Sequence, residues 1–252
     1  MILDADSFLE KCIYSPEGLR ADGRRWNELR QFKCQINTHA NSSDGSSYVE
    51  QGYSKVVCIV NGPKEPDGRS HTFLDKACIS VEVNIASFST VDRKKVVRNN
   101  KRVQELNTTI QRTLEEAVLS HLYPRTQIDI SIQVLQQDGG LLPTCVNAAT
   151  LALIDAGIPM VDYVSACSAG IYDTTPLLDL NTMEENDLAF LTVGVIGKSD
   201  SLALLMMETR MSMDNLEPVM AIAIAGSHSI RDIMDREVRR HGKQRLAKKG
   251  NM

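Results

Sequence analysis

Alternating apolar and polar positions dominate the first half of the chain and predict a series of β-strands. These segments are rich in Val and Ile, which alternate with polar residues over residues 79–85 and form a continuous apolar run over residues 56–60, as expected of strands that bury one or both faces. Strands are predicted over residues 29–37, 47–50, 54–60 and 77–86. Residues 1–28 lack this alternation and contain turn-forming residues such as Gly18 and Gly23. We therefore expect an irregular N-terminal extension over residues 1–28.

Apolar residues elsewhere recur at three- and four-residue spacing, which is the period of an amphipathic helix. Helices are predicted over residues 97–122, 143–156 and 216–241. The apolar stripe of the first helix comprises Val103, Leu106, Ile110, Leu114, Ala117 and Val118. Gly157 is suited to end the second helix in the left-handed conformation. The basic tail, residues 242–252, is expected to be disordered.

Strands followed by a helix occur twice along the chain, and this repetition predicts the fold class. Further strands are predicted over residues 127–135, 163–172, 188–196 and 202–208. The order favours an α+β fold with two similar halves of mixed β-sheet and helices. No linker rich in Pro, Gly or Ser divides the halves, so we expect one domain over residues 29–241.

The charge of the chain is unevenly distributed. The 252 residues carry a formal net charge of −4, so the molecule as a whole does not attract nucleic acid. Residues 93–102, however, contain six Lys or Arg and no acidic residue, and the tail is also basic. An acidic protein with such segments can bind an anion locally and repel it elsewhere.

The cysteines and the N-terminus bear on the metal content and on the cellular compartment. The six cysteines are scattered singly, without a Cys-x-x-Cys motif or a His pair at ligand spacing. We therefore expect reduced thiols, no metal site and no cofactor. The N-terminus is acidic where a secretory signal is basic, and no apolar run reaches membrane-spanning length. These features predict an intracellular protein that does not contact a membrane.

Three segments in order carry a more specific signal. Residues 18–25 read GLRADGRR, residues 44–52 read DGSSYVEQG, and residues 151–160 read LALIDAGIPM. In this order and spacing the chain resembles the ribonuclease PH family over about residues 15–241. Within that family it is most similar to the eukaryotic RNA exosome ring subunit that corresponds to the catalytic ring subunit of archaeal exosomes.

The resemblance implies a ribonuclease PH-like fold, a location and a set of partners. The chain would sit in a six-membered ring with other ribonuclease PH-like subunits. RNA-binding cap proteins would cover one face, and a separate processive exoribonuclease would receive single-stranded RNA threaded through the pore. The expected role is 3′-to-5′ processing and decay, including rRNA processing and mRNA turnover. The expected location is the nucleus, including the nucleolus, and the cytoplasm.

The resemblance also bears on catalysis. Active members follow the glycine turn with Ser or Thr and then Arg, which holds the attacking phosphate at a helix N-terminus. Here Gly139 and Gly140 precede Leu141 and Leu142, and Leu191 stands where active members carry an Asp. We therefore expect no catalytic residue and a chain that is not an enzyme. The alternative is an active, phosphate-dependent exoribonuclease using Mg²⁺, with Arg125 or a neighbouring subunit replacing the missing cation.

The resemblance assigns RNA contacts to the basic segment. Lys101 and Arg102 align with residues that line the RNA channel, Arg98 belongs to the same cluster, and Arg69 falls at the pore mouth. Such contacts to phosphates would be independent of RNA sequence and sensitive to salt. The alternative is a solvated surface whose charges only maintain solubility. A metabolic enzyme is disfavoured because the chain has no P-loop, dinucleotide-binding glycine motif or nucleophile elbow.

Overall fold

The computed structural model describes residues 14–15, 18–39, 41–65, 75–90, 93 and 100–250, with only the backbone at 248–250. Two β-sheets and four α-helices account for most of this part of the chain. The predicted α+β class is confirmed. No helix among the described residues combines the length and the hydrophobicity that a membrane crossing requires.

The first sheet has five strands and arises from the alternating segments of the N-terminal half. Its strands are β1 Phe32–Ile36, β2 Gly45–Gln51, β3 Ser54–Lys64, β4 Cys78–Ile85 and β5 Gln127–Gln136. Their order in the sheet is β1-β2-β3-β5-β4. All neighbours are antiparallel except β4 and β5, which run parallel with Ile85 opposite Val134. The carboxyl ends of β4 and β5 therefore lie at the same edge of the sheet.

The second sheet has four antiparallel strands. They are β6 Val164–Tyr172, β7 Thr175–Leu178, β8 Ala189–Ile196 and β9 Leu202–Met207, in the order β7-β6-β8-β9. Strand β6 is buried on both faces, which explains why its sequence is rich in small and apolar residues without alternation. Strand β9 lies at the edge and carries several exposed apolar side chains.

The helices pack on and between the two sheets. They are α1 Lys101–Ala117, α2 Leu141–Ala156, α3 Thr182–Asp187 and α4 Met213–Gly250, and a 3-10 turn spans Ser120–Leu122. Helix α2 contacts strands of both sheets, and its residues 142–153 are all buried. A helix that is buried on all sides is typical of such a central position. Helix α1 packs on β4, and α4 packs on β6 and β8.

Two predictions about the secondary structure were wrong, and two short elements were missed. Strand β7 and helix α3 were not predicted, because segments of four and six residues are too short to show a period. The tail was expected to be disordered, but helix α4 continues to Gly250. Helix α1 ends at Ala117 rather than at 122, because Val118 turns into an extended conformation and pairs with Met160.

Candidate functional site

The turn that joins β5 to α2 is the centre of the candidate site. Both of its glycines have positive φ angles, 71° at Gly139 and 60° at Gly140. Gly139 also permits a close approach, since a Cβ there would lie 2.7 Å from the carbonyl oxygen of Leu180. The turn therefore packs directly on the segment that leads into helix α3. Gly140, the N-cap residue of α2, has no side chain of its own to cap the helix.

A buried ion pair contacts this turn. The Arg30 guanidinium donates to the Asp179 carboxylate through Nη2 at 2.8 Å and Nε at 3.0 Å, and the Arg30 backbone N–H donates to Oδ2 at 2.8 Å. Gln51 Nε2 donates to Asp179 Oδ1 at 2.9 Å. The remaining Arg30 donors contact the carbonyl oxygens of Asp138 and Gly139. One guanidinium thus links the N-terminal segment, the glycine turn and the acidic segment.

The environment of Arg30 keeps it charged. Burial is the largest single influence and lowers the pKa of this guanidinium, but the charge and hydrogen bonds of Asp179 together with the charges of Asp138 and Glu185 outweigh burial, and the net pKa of Arg30 is raised. Because Asp179 is fully buried and Arg30 is 7% exposed, neither charge has water to replace its partner. The pair is therefore sensitive to the loss of either member.

Glu185 brings a carboxylate to the glycine turn. The Gly140 N–H donates to its Oε1 at 2.6 Å, so this carboxylate accepts a hydrogen bond from a backbone N–H at the start of helix α2. Burial raises the pKa of Glu185 to about 7, although the Gly140 hydrogen bond and the Arg30 charge both oppose the rise. A carboxyl group with a pKa near neutrality can give or accept a proton at the pH of the cell.

Two arginines of the N-terminal segment hold the adjacent helix. Arg20 Nε lies 3.2 Å from Glu184 Oε1, and its side chain is fully buried. Arg24 Nη1 donates to the carbonyl oxygen of Asp179 at 2.9 Å. Glu184 also forms a capping box with Asn181 at the start of α3. The segment that was predicted to be an irregular extension is therefore tied to the candidate site.

The two leucines on which the expected absence of catalysis rested belong to the apolar core. Leu142 is 7% exposed in the first turn of α2, and Leu191 is fully buried in β8 opposite Ala169. Neither leucine places a charged group at the turn. Arg125 does not replace the cation, because it precedes β5 whereas the turn follows it. The ten residues of β5 separate the two, or about 33 Å at 3.3 Å per residue.

The predicted RNA-binding residues divide into two groups. Lys101 and Arg102 are exposed and form the first turn of helix α1, where the Asn100 side chain accepts the Arg102 N–H at 3.1 Å. Arg69 and Arg98 lie outside the described residues. Cations at a helix N-terminus oppose the helix dipole, so stability of the helix does not explain their position.

Helix α1 begins at the same edge of the first sheet as the glycine turn. The Ala77 N–H, just before β4, donates to the Ser120 carbonyl, and the Val83 N–H donates to Asn107 Oδ1. The helix therefore runs antiparallel to β4 and starts near the carboxyl end of that strand. The turn after the parallel strand β5 lies at this edge too. Lys101 and the turn thus share one edge of the sheet.

We expect the Glu185→Gln variant to change how stability depends on pH. Because the folded-state pKa of Glu185 is about 7 and its ordinary value is 4.5, the carboxyl is protonated in both states below pH 4.5. As pH rises toward 7, the Glu185 carboxyl ionises readily only in the unfolded state. The free energy of unfolding therefore falls, by about 3 kcal/mol at most. The amide of the variant still accepts the Gly140 N–H.

The measurement is denaturant unfolding of both proteins at pH 4.5 and pH 8. The variant should exceed the wild type in stability at pH 8 and match it at pH 4.5. Glu217→Gln, at an exposed position of α4, is the control and should show no such difference. A wild-type advantage at pH 8 would show that the Glu185 charge stabilises the fold.

Family models and known relatives agree on the kind of protein that this chain resembles. Models described as 3′ exoribonuclease family (RNase PH), domain 1 and domain 2, match residues 28–159 and 162–226. The Saccharomyces cerevisiae protein named exosome complex component SKI6 is 53% identical over 93% of this chain and 96% of its own length. The Homo sapiens exosome complex component RRP41 is 42% identical over 91% and 94%.

Solved structures share the fold. Rice Rrp46 superposes with a TM-score of 0.77 at 30% identity, covering 87% of this chain and 100% of that chain. A chain of an Archaeoglobus fulgidus exosome structure, titled as having RNA bound to the active site, gives 0.74 at 22% identity, covering 90% and 96%. The predicted ribonuclease PH-like fold is confirmed.

The prediction that the chain is not an enzyme is contradicted. The two matching models describe a family of 3′ exoribonucleases and together span residues 28–226 apart from a two-residue gap. The prediction rested mainly on Leu142 and Leu191, which stand where active members carry Arg and Asp. The fold brings Arg30, 109 residues before Gly139, and the Glu185 carboxylate to the same turn. Sequence order alone did not show that these groups meet at the turn.

Proposed function

Because the chain belongs to the 3′ exoribonuclease family with RNase PH domains, we propose that it is a core ring subunit of an RNA exosome. In that complex it contacts single-stranded RNA in the central channel and supports 3′-to-5′ RNA processing and decay, including rRNA processing and mRNA turnover. The observation that carries the proposal is the 53% identity to an exosome complex component across 93% of the chain. We further propose one domain over residues 29–241 and a location in the nucleus, including the nucleolus, and the cytoplasm.

An exposed apolar edge supports assembly with neighbouring subunits. Strand β9 carries Leu205 at 52% exposure and Met207 at 47%, next to Leu202 at 40%. Its outer edge has no strand partner among the described residues. Unpaired apolar edges favour strand pairing or burial against another protein. The proposed partners are other RNase PH-like ring subunits, RNA-binding cap proteins and a separate processive exoribonuclease.

The exposed cations of helix α1 support the RNA contact. Lys101 and Arg102 lie at the sheet edge that also holds the glycine turn, and a phosphate backbone is the ligand for which two such cations are suited. Arg98 and Arg69 complete the proposed RNA-binding set, by their place in the sequence. The contacts are to phosphates, so they do not distinguish RNA sequences.

Co-expression with candidate ring subunits tests the proposal. We expect the chain to co-elute with them in size-exclusion chromatography as one complex that binds single-stranded RNA. Leu205→Lys should abolish co-elution, because it places a charge on the proposed interface. Leu122→Lys, at a position 51% exposed in the 3-10 turn, is the control and should still assemble. Elution of the wild-type chain as a monomer, with no RNA binding, would refute the proposed function.

A second candidate function is phosphate-dependent RNA degradation by the chain itself. The observation that favours it is Glu185, a carboxyl group with a pKa raised to about 7 by burial and bonded to the glycine turn. Such a group is suited to general acid–base catalysis near neutral pH. The same complex, without its separate nuclease, tests this candidate. This candidate function predicts release of nucleoside diphosphates only when phosphate is present. If no nucleoside diphosphate is released, the candidate function is wrong.

A further inference from the structure

Phe88 occupies an exposed and fixed position at the edge that holds the glycine turn. Its side chain is 67% exposed, on the turn that follows β4. Three backbone hydrogen bonds fix this turn: Ala86 N–H to Val134 O at 3.1 Å, Ser89 N–H to Ala86 O at 3.0 Å, and Gln137 N–H to Ser89 O at 2.9 Å. The ring is therefore presented to solvent on a backbone that is bonded to the end of β5.

A groove runs beside the ring. It has a volume of about 350 Å³ and is lined by Phe88, Ser89, Thr90, Leu135, Gln136 and Gln137. This volume lies within the range of small-ligand pockets, roughly 300–1,000 Å³. Leu135, at 37% exposure, adds a second apolar surface, and the two glutamines add amide donors and acceptors. An aromatic ring beside carboxamides suits a flat, polar-edged ligand.

The surrounding charges favour an anionic ligand that carries such flat groups. Lys101 and Arg102 start helix α1 at this same edge of the sheet. A phosphate chain that contacts these cations can place its attached rings over Phe88. A protein partner would use the apolar ring but would have no need of the cations.

We propose that Phe88 is a stacking platform for a nucleobase of single-stranded RNA, with Gln136 and Gln137 beside the base edge. The inference rests on the proposed RNA-contacting function and names the residue that holds a base. Every base has a π-face, so stacking is tolerant of sequence, and it matches phosphate contacts that do not read sequence either. Gln137 directly precedes Asp138 and the glycine turn, to which the Glu185 carboxylate is bonded.

The test compares Phe88→Ala, Phe88→Leu and Phe88→Trp in the assembled ring without its separate nuclease. Removal of a stacking ring should weaken binding of oligouridylate by about 5- to 150-fold. Leu fills space but cannot stack, so Phe88→Leu should be weakened like Phe88→Ala, whereas Phe88→Trp should bind like the wild type. The salt dependence of binding should not change, because the ring is uncharged.

RNA that lacks single bases provides a test that does not depend on any variant. We expect an abasic nucleotide at one position to weaken binding to the wild-type ring, and Phe88→Ala to cause no further loss with that RNA. Equal affinity for every abasic RNA would overturn the proposal. So would full affinity in Phe88→Leu, which would assign the ring to packing, or failure of Phe88→Trp to assemble, which would assign it to a protein interface. In the first two outcomes the wild-type ring still binds RNA, so the proposed function stands.

Discussion

Replacing Asp179 by asparagine is expected to lower the free energy of unfolding by about 3–5 kcal/mol. The change keeps the shape of the side chain but leaves the Arg30 guanidinium charged and buried without its counter-ion. Water cannot take over this role, because Asp179 is fully buried and Arg30 is 7% exposed. For a domain of this size the loss corresponds to a fall in melting temperature of about 6–20 °C. Thermal and denaturant unfolding measure it.

A double variant and a surface variant decide whether the buried charge is the cause. Asp179→Asn combined with Arg30→Met removes both charges and should recover part of the lost stability, because no buried charge then lacks a partner. Asp200→Asn breaks the His228 contact at a side chain that is 77% exposed and should change stability by less than about 1 kcal/mol. A single variant as stable as the wild type would show that water reaches the pair.

The sheets were largely predictable from the sequence, because burial of one face leaves a two-residue period. Strand β5 was predicted over residues 127–135 and extends to 136, and its buried positions alternate along its length. Strand β6 lies within one residue of its predicted start. Pairing of β4 with β5 in parallel was not predictable from this pattern, since alternation does not fix which strand lies beside which.

Helix starts were less predictable. Helix α2 was expected to begin at about Pro143, but it begins at Leu141. Proline is tolerated at its third position because the N–H groups of the first turn have no partner within the helix. Helix α3 carried a readable signal, since Asn181 and Glu184 have the spacing of a capping box. Helix α4 runs past Val238 without apolar positions that would predict it.

The candidate site was only partly predictable, because its groups come from distant segments. The glycine turn was recognised in the sequence, but the proximity of the Glu185 carboxylate to it was not. The contact of Arg30 with Asp179 spans 149 residues, and no local pattern indicates it. The exposure of Phe88 depends on how the end of β4 is bonded to β5, which only the fold determines.

Reversing the charges of Lys101 and Arg102 is expected to weaken binding of single-stranded RNA to the assembled ring by about 100-fold or more. Each charge-assisted hydrogen bond to a phosphate contributes about 1.5–3 kcal/mol, and glutamate also repels the backbone. If the two cations contact one phosphate each, the dependence of log affinity on log salt should become shallower by about 1.4. Titrations of fluorescent oligonucleotide at several salt concentrations measure both quantities.

Unfolding cannot account for such a loss. Acidic residues in the first turn of a helix interact favourably with its dipole, so Lys101→Glu with Arg102→Glu should be at least as stable as the wild type. The control pair, Arg236→Glu with Lys243→Glu, lies at exposed positions of α4. Like the first pair, it makes the net charge of −4 more negative by four. If the control pair weakens RNA binding equally, total charge and not the start of α1 governs binding. If only Lys101 and Arg102 matter, the RNA passes the edge of the sheet that holds Phe88 and the glycine turn.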